Sequence, residues 1–148
     1  MNKTLFFFIT LTLLSCSDNQ SQINVDEIVK KANAPLLKGL GNHSFKISSD
    51  IEGVQEYFDQ GLIMAFAFNH AESVRSFKAA QRLDPNCAIC FWGEALARGP
   101  NINVTSDGKA VMSPENRIEA FKAFKIAESL RKRIIKRKRF YRSFENQI

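Results

Sequence analysis

The stretch Tyr57–Ala97, which reads YFDQGLIMAFAFNHAESVRSFKAAQRLDPNCAICFWGEALA, decides the fold that we predict for this chain. Its apolar residues recur at the i, i+3, i+4, i+7 spacing of an α-helix. Gly61 and Ser73 stand in two successive helical segments, where such small residues let antiparallel helices approach closely. Pro85 then ends the second segment, because proline lacks a backbone N–H and clashes with the preceding turn. The stretch therefore predicts a helical hairpin.

The spacing within this hairpin resembles one tetratricopeptide unit, whose signature places small residues at the helix crossing and a proline at the closing turn. At successive offsets of 12, 4, 3 and 5 residues, the matching positions are Gly61, Ser73, Phe77, Ala80 and Pro85. Three positions depart from the signature: the chain has Tyr57 where the signature has Trp, Gln60 where it has Leu, and Met64 where it has Tyr. The alternative is an ordinary helical hairpin with small residues at its crossing.

A second, looser copy of the unit follows the first. Phe91 and Ala95 lie 34 residues after Tyr57 and Gly61, which is the tetratricopeptide period. The 4 and 3 spacings of the first unit recur at Ala120, Phe124 and Ala127. The helices of the second unit are separated by a longer loop that is rich in Gly, Pro, Asn and Ser. Such an insertion commonly maps to the binding face of a repeat protein.

The segments YFDQGL, FNHAE and DPNCAICFWGEALARGPNIN make the chain similar to a family of exported bacterial tetratricopeptide proteins, from about Leu40 to Leu130. The resemblance implies an all-α fold, an antiparallel helix-hairpin array that follows a short irregular N-terminal segment. It also implies a non-catalytic module that binds a protein or peptide on its concave face. The residues that we predict to contact this partner are Asn69 and His70 at the helical corner, and Asn101 and Asn103 in the loop.

The first 15 residues have the layout of a secretory signal, with Lys3 followed by the apolar run LFFFITLTLL, which is too short to span a bilayer. The end of this segment, Leu13-Leu14-Ser15-Cys16, resembles a bacterial lipoprotein cleavage box, which implies that Cys16 carries the lipid. A membrane-anchored, extracytoplasmic lipoprotein is therefore expected, and Ser17 points to the outer membrane. The alternative is a plain signal peptide with an incidental cysteine.

These features divide the chain into a signal peptide (1–15), a tether and irregular segment (16–50), tetratricopeptide-like repeats (51–132) and a basic tail (133–148). Ser49 or Asp50 is expected to cap the first repeat helix, and Ser113 before Pro114 the last. The four predicted repeat helices are Ile51–Phe68, Ala71–Leu83, Cys87–Arg98 and Pro114 to about Lys132. A weaker helical pattern runs from Val25 until Pro35 breaks it.

The net charge of +6 arises in the tail, because eight Lys and Arg lie within Arg131–Arg142. Removing residues 131–148 and Lys3 leaves 12 basic and 14 acidic residues, so the repeat body is near neutral and no nucleic-acid partner is expected. With AT-rich codons, a one-base frame shift would turn the tail into ESSKEKDFIEALKTKY, which looks like the start of another repeat. The alternative is a basic helix that binds acidic lipid or nucleic acid.

Cys87 and Cys90 form the one motif that is typical of redox or metal chemistry, a CxxC at the start of a helix. We favour a structural disulfide or buried thiols, since the chain lacks the βαβ context of a thioredoxin. A thiol or metal site that adds His43 or His70 is the alternative function. Trp92 is expected in the core rather than as a peptide anchor. Because no catalytic or phosphate-binding motif is present, we predict no enzyme activity, no cofactor and no metal.

Overall fold

The computed structural model describes residues 19–100, 105–106, 109–110 and 112–145, with side chains over 24–100 and 112–136. This part of the chain is all-α, which confirms the predicted fold class. The five helices are α1 (Asn19–Ala32), α2 (Val54–Phe66), α3 (His70–Leu83), α4 (Ala88–Ala97) and α5 (Pro114–Glu145). Within the predicted loop, two-residue strands β1 (Thr105–Ser106) and β2 (Lys109–Ala110) pair antiparallel. None of the described helices is long and apolar enough to span a bilayer.

Consecutive helices pack as hairpins. α2 packs against α3, α3 against α4, and α4 against α5, while α4 also touches α2 and α1 lies on α3. The core is centred on Phe77, whose ring is completely buried. Its ring meets that of Phe58 edge-on, with 5.5 Å between the centroids. Burial of apolar surface, which stabilises the folded state by about 25 cal/mol per Å², is the main force that holds such hairpins together.

Two glycines make the close approach around Phe77 possible. A Cβ atom at Gly61 would lie 2.9 Å from Phe77 Cε1, and one at Gly93 would lie even closer to the ring. Ser73 completes the first crossing, because its hydroxyl donates a hydrogen bond to the Gly61 carbonyl oxygen at 2.6 Å. The predicted close approach at Gly61 and Ser73 is therefore confirmed, whereas Gly93 was missed because the 34-residue period points to Ala95 instead.

The start of α2 differs from the prediction. Neither Ser49 nor Asp50 caps it; the N-cap is Gly53, with φ of 84° and no side-chain hydrogen bond. The Ser49 hydroxyl instead donates to Asp84 Oδ2 at 2.7 Å, 35 residues away at the end of α3. Ser49 Oγ also accepts a hydrogen bond from the Ile51 N–H at 3.4 Å, so its local bond lies in the segment before α2, which begins only at Val54.

The outer helices also extend beyond their predicted bounds. α1 begins at Asn19, so the backbone over 19–24 is helical rather than a flexible tether, and it ends at Ala32, before Pro35. α5 starts as expected, since Ser113 Oγ accepts a hydrogen bond from the Asn116 N–H at 3.1 Å. It continues through the basic segment to Glu145, because Lys and Arg are good helix formers and no Gly or Pro interrupts the run.

The irregular segment between α1 and α2 is held on α2 by polar side chains that depart from the repeat signature. Tyr57 donates its hydroxyl hydrogen to the carbonyl oxygen of Ala34. Gln60 accepts from the Leu37 N–H at 2.8 Å and donates to Ser76 Oγ at 2.9 Å. The buried carboxamide of Gln60 thus satisfies groups on both sides of α2, which a leucine could not do.

Candidate binding groove

A groove of about 910 Å³ opens between α2, α4 and α5. Its walls are mostly apolar and come from three helices and from the segment before α2. The residues that line it are His43, Phe45, Phe58, Leu62, Phe66, Ala88, Ile89, Trp92, Phe124, Ala127, Glu128 and Arg131. A concave, largely apolar surface with few polar groups is the usual form of a binding site.

Four aromatic side chains in this groove are exposed: Phe45, Phe66, Trp92 and Phe124. Trp92 is 44% exposed and Phe124 48% exposed, although both belong to helices that pack on neighbours. Contiguous apolar surface of this kind marks interaction sites in soluble proteins more often than it marks chance exposure. Tryptophan and other aromatic residues are also enriched among the residues that carry binding energy.

The expectation that Trp92 packs in the core is wrong. The buried side of α4 consists of Cys90, Gly93 and Ala97, at i, i+3 and i+7, together with Glu94. Trp92 lies outside this helical face and therefore points into the groove. The sequence offered a signal for this placement, because the spacing of the small residues already separates Trp92 from the packed side of α4.

The buried side of α4 also carries an ion cluster. The carboxylate of Glu94, which is buried, lies 2.9 Å from Arg98 Nε and 3.5 Å from Lys78 Nζ. Gln81 Nε2 donates a further hydrogen bond to it at 2.9 Å. These contacts join α3 to α4 and fix the orientation of the helix that contributes Ala88, Ile89 and Trp92 to the groove lining.

The first turn of α4 is closed by a disulfide between Cys87 and Cys90, whose Cα atoms are 5.3 Å apart. Both cysteines are buried, and Cys87 is the N-cap of the helix. The two residues between them, Ala88 and Ile89, line the groove. In this oxidised form the pair offers no free thiolate, and it closes the turn that carries Ala88 and Ile89.

Reducing the disulfide is expected to lower the free energy of unfolding by about 2 kcal/mol, the value for a loop of only a few residues. Urea unfolding with and without a thiol reductant measures this difference. The Cys87→Ser/Cys90→Ser double variant is the control, because its stability should not respond to the reductant. An unchanged wild-type midpoint under reducing conditions would show that the pair contributes nothing to the fold.

Basic side chains border the groove along α5. Glu128 accepts hydrogen bonds from Lys132 Nζ at 2.8 Å and from Lys125 Nζ at 2.9 Å. These two bonds, with the charges of the same lysines, lower the pKa of Glu128 to about 2. Arg131, which also lines the groove, has no acidic partner among the described side chains. The edge is therefore positive at neutral pH.

We expect Lys132→Met to raise the pKa of Glu128 towards the ordinary glutamate value, because the first of its two hydrogen-bond donors is lost. In the wild type the pairing is present above the unfolded-state pKa and is lost only as the pH falls through about 2. Carboxyl NMR titration measures both values. Lys122→Met is the matched control, since Lys122 pairs with Glu119 instead; equal pKa values of Glu128 in both variants would contradict the assignment.

Two of the predicted partner contacts, Asn69 and His70, do not lie in the groove. Asn69 caps α3, where its side-chain oxygen accepts from the Glu72 N–H at 3.3 Å. The ring nitrogens of His70 are buried without hydrogen-bond partners, and its ring lies 6.4 Å from that of Phe68. Both residues sit at the α2–α3 corner and are absent from the groove lining. Asn101, Asn103 and the predicted lipidation site Cys16 lie outside the described residues.

The two histidines that the sequence suggested as metal ligands are separated in the fold. His43 lines the groove, whereas His70 lies at the helical corner. Within residues 24–100 and 112–136, no three side chains of His, Cys, Asp or Glu come together in a metal-binding group.

Comparisons of the chain with protein-family models, with curated proteins and with solved structures found no match.

Proposed function

We propose that this chain is a non-catalytic tetratricopeptide repeat protein that binds a protein or peptide in the groove between α2, α4 and α5. It is held at a membrane outside the cytoplasm, in the outer membrane, by lipid on Cys16. The observation that carries the binding proposal is the exposure of four aromatic side chains in one groove of a packed helical array. The resemblance of the residue spacing to tetratricopeptide units supports the class of partner.

Trp92 makes the binding proposal directly testable, because it is the one tryptophan of the chain and lies in the groove. Peptides selected from a random display library against the immobilised protein are titrated while Trp92 emission is followed. Selected peptides should shift the emission and should bind far more weakly to a Trp92→Leu/Phe124→Ser variant, measured by anisotropy of a labelled peptide.

Phe68→Ser is the matched control, since Phe68 is exposed but lies at the α2–α3 corner rather than in the groove. It should leave the affinity unchanged. If Phe68→Ser abolishes binding and the groove variant does not, the corner at Asn69 and His70 is the binding site and the groove proposal fails.

Lipid attachment has its own test. The full chain is expressed in a bacterial host that is fed an alkyne-tagged fatty acid, and the tag is detected on the purified protein. Labelling and recovery in the membrane fraction are expected for the wild type and for Cys90→Ser. Both should be lost in Cys16→Ser, and labelling that survives this substitution would overturn the anchor.

A further inference from the structure

Phe77 shows how this fold buries a large ring between helices. Its ring is covered on one side by α2 at Gly61 and on the other by α4 at Gly93. Neither helix could approach so closely with a side chain at these positions, since an added Cβ would overlap the ring. The motif is therefore a phenylalanine held between two helices that each present a residue without a side chain.

Phe124 on α5 is the counterpart of Phe77 by its sequence spacing, because Ala120, Phe124 and Ala127 repeat the spacing of Ser73, Phe77 and Ala80. Ala127 is buried, as Ala80 is, so this part of α5 packs on the body of the fold. Phe124 is nevertheless 48% exposed and lines the groove. Phe77 is covered by a helix on each face of its ring, whereas one face of the Phe124 ring has no such helix.

We propose that the groove binds an acidic amphipathic α-helix from another protein, with glycine or alanine placed against Phe124. This inference rests on the proposed function and specifies the partner that the groove accepts. A small residue at the centre of the apolar face lets the helix reach the Phe124 ring, as Gly93 lets α4 reach Phe77. Trp92 and Leu62 then contact the flanking apolar residues of the bound helix.

The positive charge of α5 favours a bound helix that is acidic. Between residues 114 and 136, α5 carries seven Lys or Arg against three Glu. Lys125 and Lys132 already neutralise Glu128, so Arg131 is left on the groove edge without an acidic partner among the described side chains. A second copy of the chain would bring an equally basic α5 to this edge, which disfavours self-association there.

The test uses three helical peptides of about 18 residues, long enough for roughly 27 Å of helix. The first is rich in Glu and has Ala at the centre of its apolar face; the second has Phe at that centre; the third has Lys in place of every Glu. None contains Trp, so emission from Trp92 reports their binding to the full protein. The first peptide should bind at least about tenfold more tightly than either of the others.

A reciprocal substitution tests the contact with Phe124. Phe124→Ala should weaken binding of the Ala-centred peptide and strengthen binding of the Phe-centred peptide, because the ring volume moves from one partner to the other. Raising the salt concentration should weaken the binding of the acidic peptide, since salt screens the exposed charges on the groove edge. Phe68→Ala, at the corner, should change neither affinity.

Three results would overturn the proposal: equal affinity for all three peptides, equal loss of both acidic peptides in Phe124→Ala, or sedimentation data showing that a second copy covers the groove. If no helical peptide binds while display-selected peptides bind and depend on Trp92, the helical partner is wrong and the proposed function stands. If neither kind of peptide binds, both proposals fail.

Discussion

Phe77→Ala is expected to lower the free energy of unfolding by about 3–5 kcal/mol, the range for removing a fully buried phenylalanine. The loss combines the apolar area of the ring with the cavity left between α2 and α4, which the rigid backbones at Gly61 and Gly93 can fill only in part. Urea denaturation followed by far-UV circular dichroism measures it.

Phe124→Ala is the matched control for this substitution. It removes the same ring from the position with the same sequence spacing, but Phe124 is half-exposed. We therefore expect a loss of no more than about 1 kcal/mol, as for surface positions. Equal losses at the two positions would mean that Phe124 is covered in solution, which would contradict an open groove.

Gly93→Val is expected to destabilise the fold by about 3 kcal/mol, at the upper end of the cost of overpacking. Valine brings a Cβ atom and two methyl groups into the Phe77 ring, so α4 must move away from α3 or the ring must leave its site. This cost outweighs the roughly 0.5 kcal/mol that replacing a helical glycine would otherwise contribute. Thermal and urea unfolding should both report the loss.

The double variant Gly93→Val/Phe77→Leu tests whether the loss of stability arises from a clash between the new side chain and the Phe77 ring. Leucine is smaller than phenylalanine and leaves room for the added side chain, so the two substitutions should be less damaging together than the sum of their separate effects. Additive losses would show that Gly93 does not meet Phe77 in solution.

The helical hairpins were predictable because their determinants are local. The spacing of Gly61, Ser73 and Phe77 encodes a helix crossing, and the Ser113-Pro114 pair encodes a helix start. The start of α2 was not predictable in the same way, because α2 begins only after Gly53, with φ of 84°, whereas Ser49 lies four residues earlier and bonds to Asp84 at the end of α3. A residue that is typical of a helix cap can also bond to a distant partner, and sequence spacing alone does not reveal at which residue the helix begins.

The binding groove was harder to predict than the fold. Helical periodicity shows that Trp92 and Phe124 lie on apolar faces, but it does not show which face has a neighbouring helix. Asn69 and His70 were predicted to contact the partner because they stand at a helical corner, but Asn69 serves there as the N-cap of α3. The spacing of small residues separates Trp92 from the packed side of α4, but whether another helix covers its ring or that of Phe124 depends on which helices pack together.

The groove is tested most directly by mapping a bound acidic helix on isotope-labelled protein by NMR. We expect the largest shift changes at Leu62, Trp92 and Phe124, with contacts between the Phe124 ring and the central alanine of the peptide. Resonances of Asn69 and His70 should not change. Shifts concentrated at that corner, with Trp92 and Phe124 unaffected, would contradict a binding site between α2, α4 and α5.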